Sequence, residues 1–439
     1  MFESEEEKLN DIRIQIEQQD IPTSKLDGAI LQGMERAKRE QRLKQKKRKK
    51  GIWTLAISAV LLITLVTSIR VSPAFANAVS SIPGLEKIVA MIQFDKGLTA
   101  AIENNYQVID ASQTKDNVEL TVDGVVLDES GMIVFYTVQS EGNLQNARIG
   151  NVDIKNKEIS SLSSSYGITQ DDQTTNEFSN RINFHFQEAT KLNDLNFTLS
   201  MTIEHEGKDI VYTLPFTVPE NVKPSIVYEL NKEVEIEKQK FTFKKVTIHP
   251  LRVDVQISIN PNNSKKILQF VDLRLEDENG EVWGSSLNGT IGRGIGDLDQ
   301  NIYLQSNYFE KPKELYLRIN TLQAVNQNEA FVVVDTESKV LINAPKDGKI
   351  HLSDSSKSHL DLTLADVMED KLGFNFSIGT VKDANEKEIK TPEVSMHQDL
   401  ENSYLLIKFE TTDYKNPLRV ELNAYPNFIE GDIKIKLVK

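Results

Sequence analysis

Residues 52–69, IWTLAISAVLLITLVTSI, form a run of eighteen residues without one charge. As a helix rising 1.5 Å per residue the run covers about 27 Å, enough to cross a thin bilayer core. Residues 36–50, just before it, hold ten Lys/Arg against the single acid Glu40, while Arg70 is the only base between the run and Lys87. That asymmetry follows the positive-inside rule and places the N-terminus in the cytoplasm, with Trp53 at the inner interface. The competing reading is a cleaved signal peptide, since Ala74-Phe75-Ala76 is an A-x-A pattern. A fifty-residue n-region is far too long for one, so the expectation is a retained single-pass helix, with regulated cleavage near Ala74, Phe75 and Ala76 left open.

The charge balance divides at the same place. Residues 1–50 hold 13 Lys/Arg and 10 Asp/Glu, whereas residues 51–439 hold 38 and 55, a net charge of −17. An acidic body of that size repels phosphates and argues against direct nucleic-acid binding. The chain has no cysteine, which removes disulfide scaffolds, thiolate metal sites and a cysteine nucleophile. The absence also suits an envelope that does not rely on disulfides, such as that of a Gram-positive bacterium.

The arm contains two amphipathic patterns. Leu9, Ile12 and Ile16 line one stripe, which Ile21-Pro22 ends; Leu26, Ile30, Met34 and Ala37 line a second. So short a segment cannot bury both stripes by itself. Three partners stay open for Leu9, Ile12, Ile16, Leu26, Ile30 and Met34: a sister chain, membrane lipid, or a cytoplasmic protein docking on the arm. Beyond the apolar run, Leu85, Ile88, Val89 and Ile92, and then Leu98, Ala101 and Ile102 after Gly97, predict short juxtamembrane helices that pack on the next domain.

From residue 107 onward the apolar period changes from 3.6 to 2, with Val, Ile, Phe, Tyr and Thr enriched. The segments 118–138, 241–259 and 360–378 share a strand–break–strand pattern. Leu195–Leu199, Leu315–Ile319 and Leu418–Leu422 form a second recurring marker. This spacing predicts a mainly β chain with two to three tandem sandwich domains. The expected layout is 1–50 cytoplasmic helical basic arm, 51–70 transmembrane helix, 71–106 juxtamembrane helices, then sandwiches at 107–220, 221–343 and 344–439. Asn279-Gly280, between Leu273–Leu275 and Val282-Trp283, is the strongest hairpin signal.

Motifs with catalytic or metal chemistry are scarce. His185, His205, His249, His351, His359 and His397 form no close ligand pair, so structural or surface roles are expected for them, with His185 facing solvent between Phe184 and Phe186. Gly292-x-Gly294-x-Gly296 lacks the strand, helix and lysine of a phosphate loop and reads as a flexible loop. Asp277-Glu278-Asn279-Gly280-Glu281 lacks EF-hand spacing, and the hairpin accounts for it. No G-x-S-x-G elbow is present. No cofactor, metal or enzymatic activity is expected.

Arg70-Val71-Ser72-Pro73-Ala74-Phe75-Ala76, then Ile82-Pro83-Gly84 and Phe94-Asp95-Lys96-Gly97-Leu98, resembles a family of Gram-positive single-pass membrane proteins. That family carries an extracytoplasmic domain of unknown function and is often linked to anti-sigma factors. Ile21-Pro22 and Lys25-Leu26-Asp27-Gly28-Ala29-Ile30 also fit it, so the likeness covers about residues 1–140. Residues 225–340 resemble its immunoglobulin-like companion domain. The resemblance implies a regulator whose cytoplasmic helices hold a sigma factor and whose outer domains receive an envelope signal through an unidentified ligand. It also implies stepwise proteolysis, with Ala74-Phe75-Ala76 as the candidate first-cut region. The histidine–cysteine zinc motif of one anti-sigma class is absent. The alternative is an envelope adhesion or structural binding protein built from sandwich modules.

Overall fold

Alternating apolar residues become paired strands throughout the computed structural model. It describes residues 95–144, 146–166, 176–220, 222–284, 291–294, 298–365, 376–399 and 402–438. The chain is mainly β, with several sheets and one α-helix among the described residues.

The helix, α1 (Lys96–Asn105), leads into eight strands: β1 (Tyr106–Lys115), β2 (Val118–Asp128), β3 (Gly131–Ser140), β4 (Arg148–Lys155), β5 (Leu162–Tyr166), β6 (Glu177–Phe186), β7 (Asn196–His205) and β8 (Lys208–Thr217). They form one sheet ordered β1-β2-β3-β6-β5 and another ordered β4-β7-β8. Their inner faces share a single core that includes Leu120, Val134 and Phe184 from the first sheet and Phe197, Leu199 and Tyr212 from the second. In β2 burial alternates up to Val122 and then becomes continuous through Val125, Val126 and Leu127. The change marks where α1 covers the outer face, so that both faces of the strand are enclosed. Leu98, Ala101 and Ile102 lie there against Val126, Ile133 and Phe135. The predicted apolar stripe after Gly97 therefore packs as a helix on the first sandwich.

A second sandwich follows, from β9 (Ile226–Ile236), β10 (Gln239–Ile248), β11 (Arg252–Ile259), β12 (Lys265–Phe270), β13 (Arg274–Asp277), β14 (Val282–Trp283), β15 (Ile291–Gly294), β16 (Asp299–Gln305) and β17 (Leu315–Asn326). One sheet runs β15-β16-β11-β10-β9 and the other β12-β17-β13-β14. Phe241 meets Phe243 and Phe270 edge to face at 5.4 and 5.3 Å, a favourable aromatic geometry. The Asn279-Gly280 hairpin forms as expected: β13 pairs β14 and Gly280 takes φ +82°, which glycine adopts without steric cost.

The third sandwich comprises β18 (Phe331–Asp335), β19 (Val340–Asn343), β20 (Ile350–Ser355), β21 (His359–Ala365), β22 (Ser377–Lys382), β23 (Glu388–Ile389), β24 (Glu393–Gln398), β25 (Asn402–Lys408) and β26 (Leu418–Ala424). Its sheets are β19-β18-β26-β22-β23 and β20-β21-β25-β24. The chain then goes back: β27 (Phe428–Leu437) pairs antiparallel with β17 and buries Ile429 and Leu437 in the second core. The third sandwich is thus inserted between two neighbouring strands of the second.

Strand grouping and turn chemistry differ here. The Pro/Gly break at Ala344–Gly348 predicts a third unit at 344–439. Yet Val332 and Val334 already belong to the third core, and residues 428–437 belong to the second sandwich. Likewise 118–138 and 241–259 are hairpins, whereas in 360–378 the strands β21 and β22 lie in different sheets. Two-residue alternation says which side chains face a core but not which strand lies alongside. Gly292 and Gly294, expected in a flexible loop, sit in β15, paired with Ile302 and Gln300. No helix among the described residues is long and apolar enough to cross a membrane; the expected span, 52–69, lies outside them.

Candidate functional site

The richest polar chemistry gathers where α1 and the first two sandwiches meet. It begins at the β2–β3 turn. Asp128, fully buried, accepts from Ser130 N–H and Oγ–H at 2.7 Å and from Gly131 N–H at 3.0 Å. Its other oxygen accepts the Leu251 N–H of the second sandwich at 2.7 Å. Burial pushes the Asp128 carboxyl pKa up, while nearby His249 and these donors pull against it. An uncompensated buried carboxylate is costly, so the donors determine whether the junction can close.

Next to it, the Glu129 carboxylate accepts from both N–H and Oγ–H of Ser225. Ser225 Oγ lies 2.6 Å from His249 Nδ1. Because the Ser225 O–H is directed at Glu129, its oxygen accepts from the Nδ1–H of His249. His249 is 1% exposed, and its Nε2 stands 3.8 Å from Asp254. Its carbonyl accepts from Ser306 Oγ–H at 2.5 Å. Ser225, His249 and Asp254 have the residue types of a nucleophile relay, but the serine is held by a carboxylate. An oxyanion forming at that oxygen would meet negative charge, the reverse of what acyl transfer requires. The arrangement fastens the linker to both sandwiches.

Arg252 completes the seam. Its Nε donates to Asp254 at 2.7 Å, Nη1 donates to His185 Nδ1 at 3.0 Å, and the guanidinium lies 4.3 Å from the Tyr303 ring centroid. Burial opposes the Arg252 charge, but Asp254 outweighs it and holds the pKa above its ordinary value. Loss of water around His185 and the adjacent guanidinium push that imidazole down to about 4. The ring keeps an exposed edge, and solvent there screens part of the effect. His185 does point to the outer face between buried Phe184 and Phe186, as alternation predicts; the second sandwich happens to lie there.

The helix is gripped on all sides. Asp95 caps its N-terminus by accepting Leu98 N–H at 2.9 Å. Burial raises the Asp95 pKa, against the pull of Leu98 N–H and Arg181. Lys96 pairs with Glu281 at 2.8 Å and sits 4.1 Å over the Trp283 ring. Gly97 lies so close to the second sandwich that a Cβ would stand 2.4 Å from the Ser306 carbonyl oxygen. At the other end Lys223 donates to Asn104 O at 2.8 Å, favourable at a helix C-terminus.

The partner-binding residues predicted from sequence, Leu9, Ile12, Ile16, Leu26, Ile30 and Met34, and the processing region Ala74, Phe75 and Ala76, all lie outside the described residues. Asp277 spends its carboxylate on Asn279 and Glu281 N–H groups at 2.8 Å each, which accounts for the acidic hairpin without calcium. Among the described residues no three His, Asp or Glu side chains converge as a metal site. Sequence reasoning missed the junction. One signal was available: the break between two alternating strands, His249-Pro250-Leu251, carries a histidine and a leucine beside its proline rather than the usual small polar turn residues.

Residues 45–140 match the profile of a domain of unknown function (DUF4179), and residues 225–364 match a family of unknown function (DUF5643). Both fit a family of unknown function, in agreement with the resemblance read from the sequence to that extent. No curated protein matches the chain. A solved structure described as the conserved domain protein from Bacillus anthracis is similar at 18% identity, covering 56% of this chain and 89% of that one, with a TM-score of 0.40.

Proposed function

We propose that the chain is a single-pass membrane regulator of a Gram-positive cell, an anti-sigma factor coupling an extracytoplasmic signal to a cytoplasmic sigma factor. In this reading residues 52–69 cross the membrane and the basic arm faces the cytoplasm. Leu9, Ile12, Ile16, Leu26, Ile30 and Met34 hold the sigma factor, with membrane lipid beneath the basic run. The three outer units act as immunoglobulin-like sandwiches that receive the signal. The observation that carries the reading is the seat of α1. It is the first described element after the apolar run; the first sandwich holds it through Leu98, Ala101 and Ile102, and the second through Lys96 and Gly97. A ligand that alters how the sandwiches meet acts directly on the chain leading back to residue 69. Ala74-Phe75-Ala76 lies on that path and serves as the cleavage region.

The test is capture from the native host with the tagged full-length chain, comparing wild type with an Ile30→Asp, Met34→Asp double variant. The reading expects one sigma factor with the wild type and none with the variant, both chains remaining membrane-inserted. Identical capture by both sinks it and favours an envelope binding protein with a basic anchor.

A further inference from the structure

The third sandwich ends on an unguarded edge. All six residues of β24 are exposed, and among the described residues the strand pairs only with β25. Its outward backbone groups can be identified. Asp399 N–H donates to Asn402 O at 3.0 Å, making 399/402 a hydrogen-bonded position. Alternation in an antiparallel ladder then turns the groups of Glu393, Ser395 and His397 toward β25 and those of Val394, Met396 and Gln398 toward solvent.

Several other edges carry the usual protections. β4 and β12 are bulged and end or begin with lysine, β9 is dense in Glu and Lys, and β14 and β23 are two residues long. β24 has no bulge in its pairing, no proline and no lysine. Val394 and Met396 share a face with buried Ile407 and Leu405, yet are 46% and 42% exposed.

We propose that β24 pairs with β24 of a second copy of this chain, antiparallel about a two-fold axis at Ser395. The strand is complementary to itself in this register. Val394 falls opposite the second copy's Met396 on the core-side face, and Glu393 falls opposite the second copy's His397 on the other. The Val394–Met396 positions are those whose N–H and C=O groups point outward, so each pair exchanges both backbone hydrogen bonds. A slip of one residue would set Val394 against His397 and mix the two faces. Pro392, lacking an N–H, ends the ladder at one end. The two sheets become one continuous sheet through an isologous contact. The proposal does not depend on what the cytoplasmic arm binds.

The chain has no cysteine, so Ser395→Cys introduces its sole thiol. Across the two-fold axis the Ser395 positions form a non-hydrogen-bonded pair with Cα atoms about 4.5 Å apart, within disulfide reach. Under mild oxidation of the full-length chain in its membrane, Ser395→Cys should cross-link at least tenfold faster than Ser338→Cys, an exposed control in the β18–β19 turn. Adding Met396→Lys should return the Ser395→Cys rate to the control value. Equal rates for the two single variants would overturn the proposal, because a shared membrane raises collision at both positions alike. Fast cross-linking that survives Met396→Lys would overturn it as well, since the contact would then not be this strand pair.

Discussion

The Asp128 carboxylate, in the turn between two strands of the first sandwich, accepts the backbone N–H of Leu251 in the second at 2.7 Å. The same side chain holds Ser130 and Gly131 N–H groups, so turn geometry and domain docking depend on one residue. Asp128→Ala leaves these donors buried without partners, while relieving the burial of a charge. The expected net cost is about 2–3 kcal/mol. Hydrogen exchange of the Leu251 amide is the direct measurement; undiminished protection would show that the docking does not depend on Asp128.

His185 makes the seam sensitive to acid. As a neutral ring it accepts from Arg252 and faces Asp254 beyond; protonated, it loses that bond and stands beside a second cation. Its folded pKa of about 4 lies below the unfolded value near 6.5. The contribution is therefore present above pH 6.5 and lost as the pH falls toward 4. With one edge of the ring in solvent, screening reduces it to about 1 kcal/mol. His185→Gln keeps an acceptor for Arg252 and should flatten the difference in stability between pH 7.5 and pH 4.5 relative to wild type.

Asp123 acts with the opposite sign. Burial lifts its pKa to about 6 against the Thr137 hydroxyl bond, and the carboxylates of Asp110 and Glu177 lift it further. A raised carboxyl favours the fold below about pH 4 and loses that contribution as the pH rises through 6. Asp123→Asn, still able to accept from Thr137, should stabilise the chain by about 1–2 kcal/mol at pH 7.5. Urea titrations at pH 7.5 and pH 4 check this: the gain should disappear at the lower pH.

Gly97→Ala places a methyl against the Ser306 backbone, where no flexible side chain can yield. The cost should be about 1–3 kcal/mol, felt as release of α1. Limited trypsin digestion should then cut after Lys96, which the wild type protects through Glu281 and Trp283.

Ending the chain after Pro426 removes β27, with its buried Ile429 and Leu437 and its ladder to β17. The second sandwich should lose its fixed packing while the third keeps its own core. Near-ultraviolet dichroism of Trp283 in a Trp53→Phe background reports the second, and exchange protection of Val420 reports the third.

Much of the local structure was legible. Alternation located the Val118, Leu120 and Val122 face, the Asn279-Gly280 dipeptide marked a real hairpin, and Leu98, Ala101 and Ile102 marked a real helix face. Long-range partners were not. Ile429 alternates as well beside β17 as it would in a third unit, so the return of β27 left no local trace. The junction was hidden for a related reason: Asp128, His185, Ser225 and Arg252 are ordinary surface residue types until two domains remove their water.

The placement of β27 also sets an order of events. Residues 428–437 are synthesised after the whole third sandwich, yet they line the interior of the middle one, next to a strand made about a hundred residues earlier. A chain emerging N-terminus first can finish its first and third sandwiches while the second still waits for its closing strand. Completion of the unit that grips α1 thus waits until the inserted third sandwich has been made.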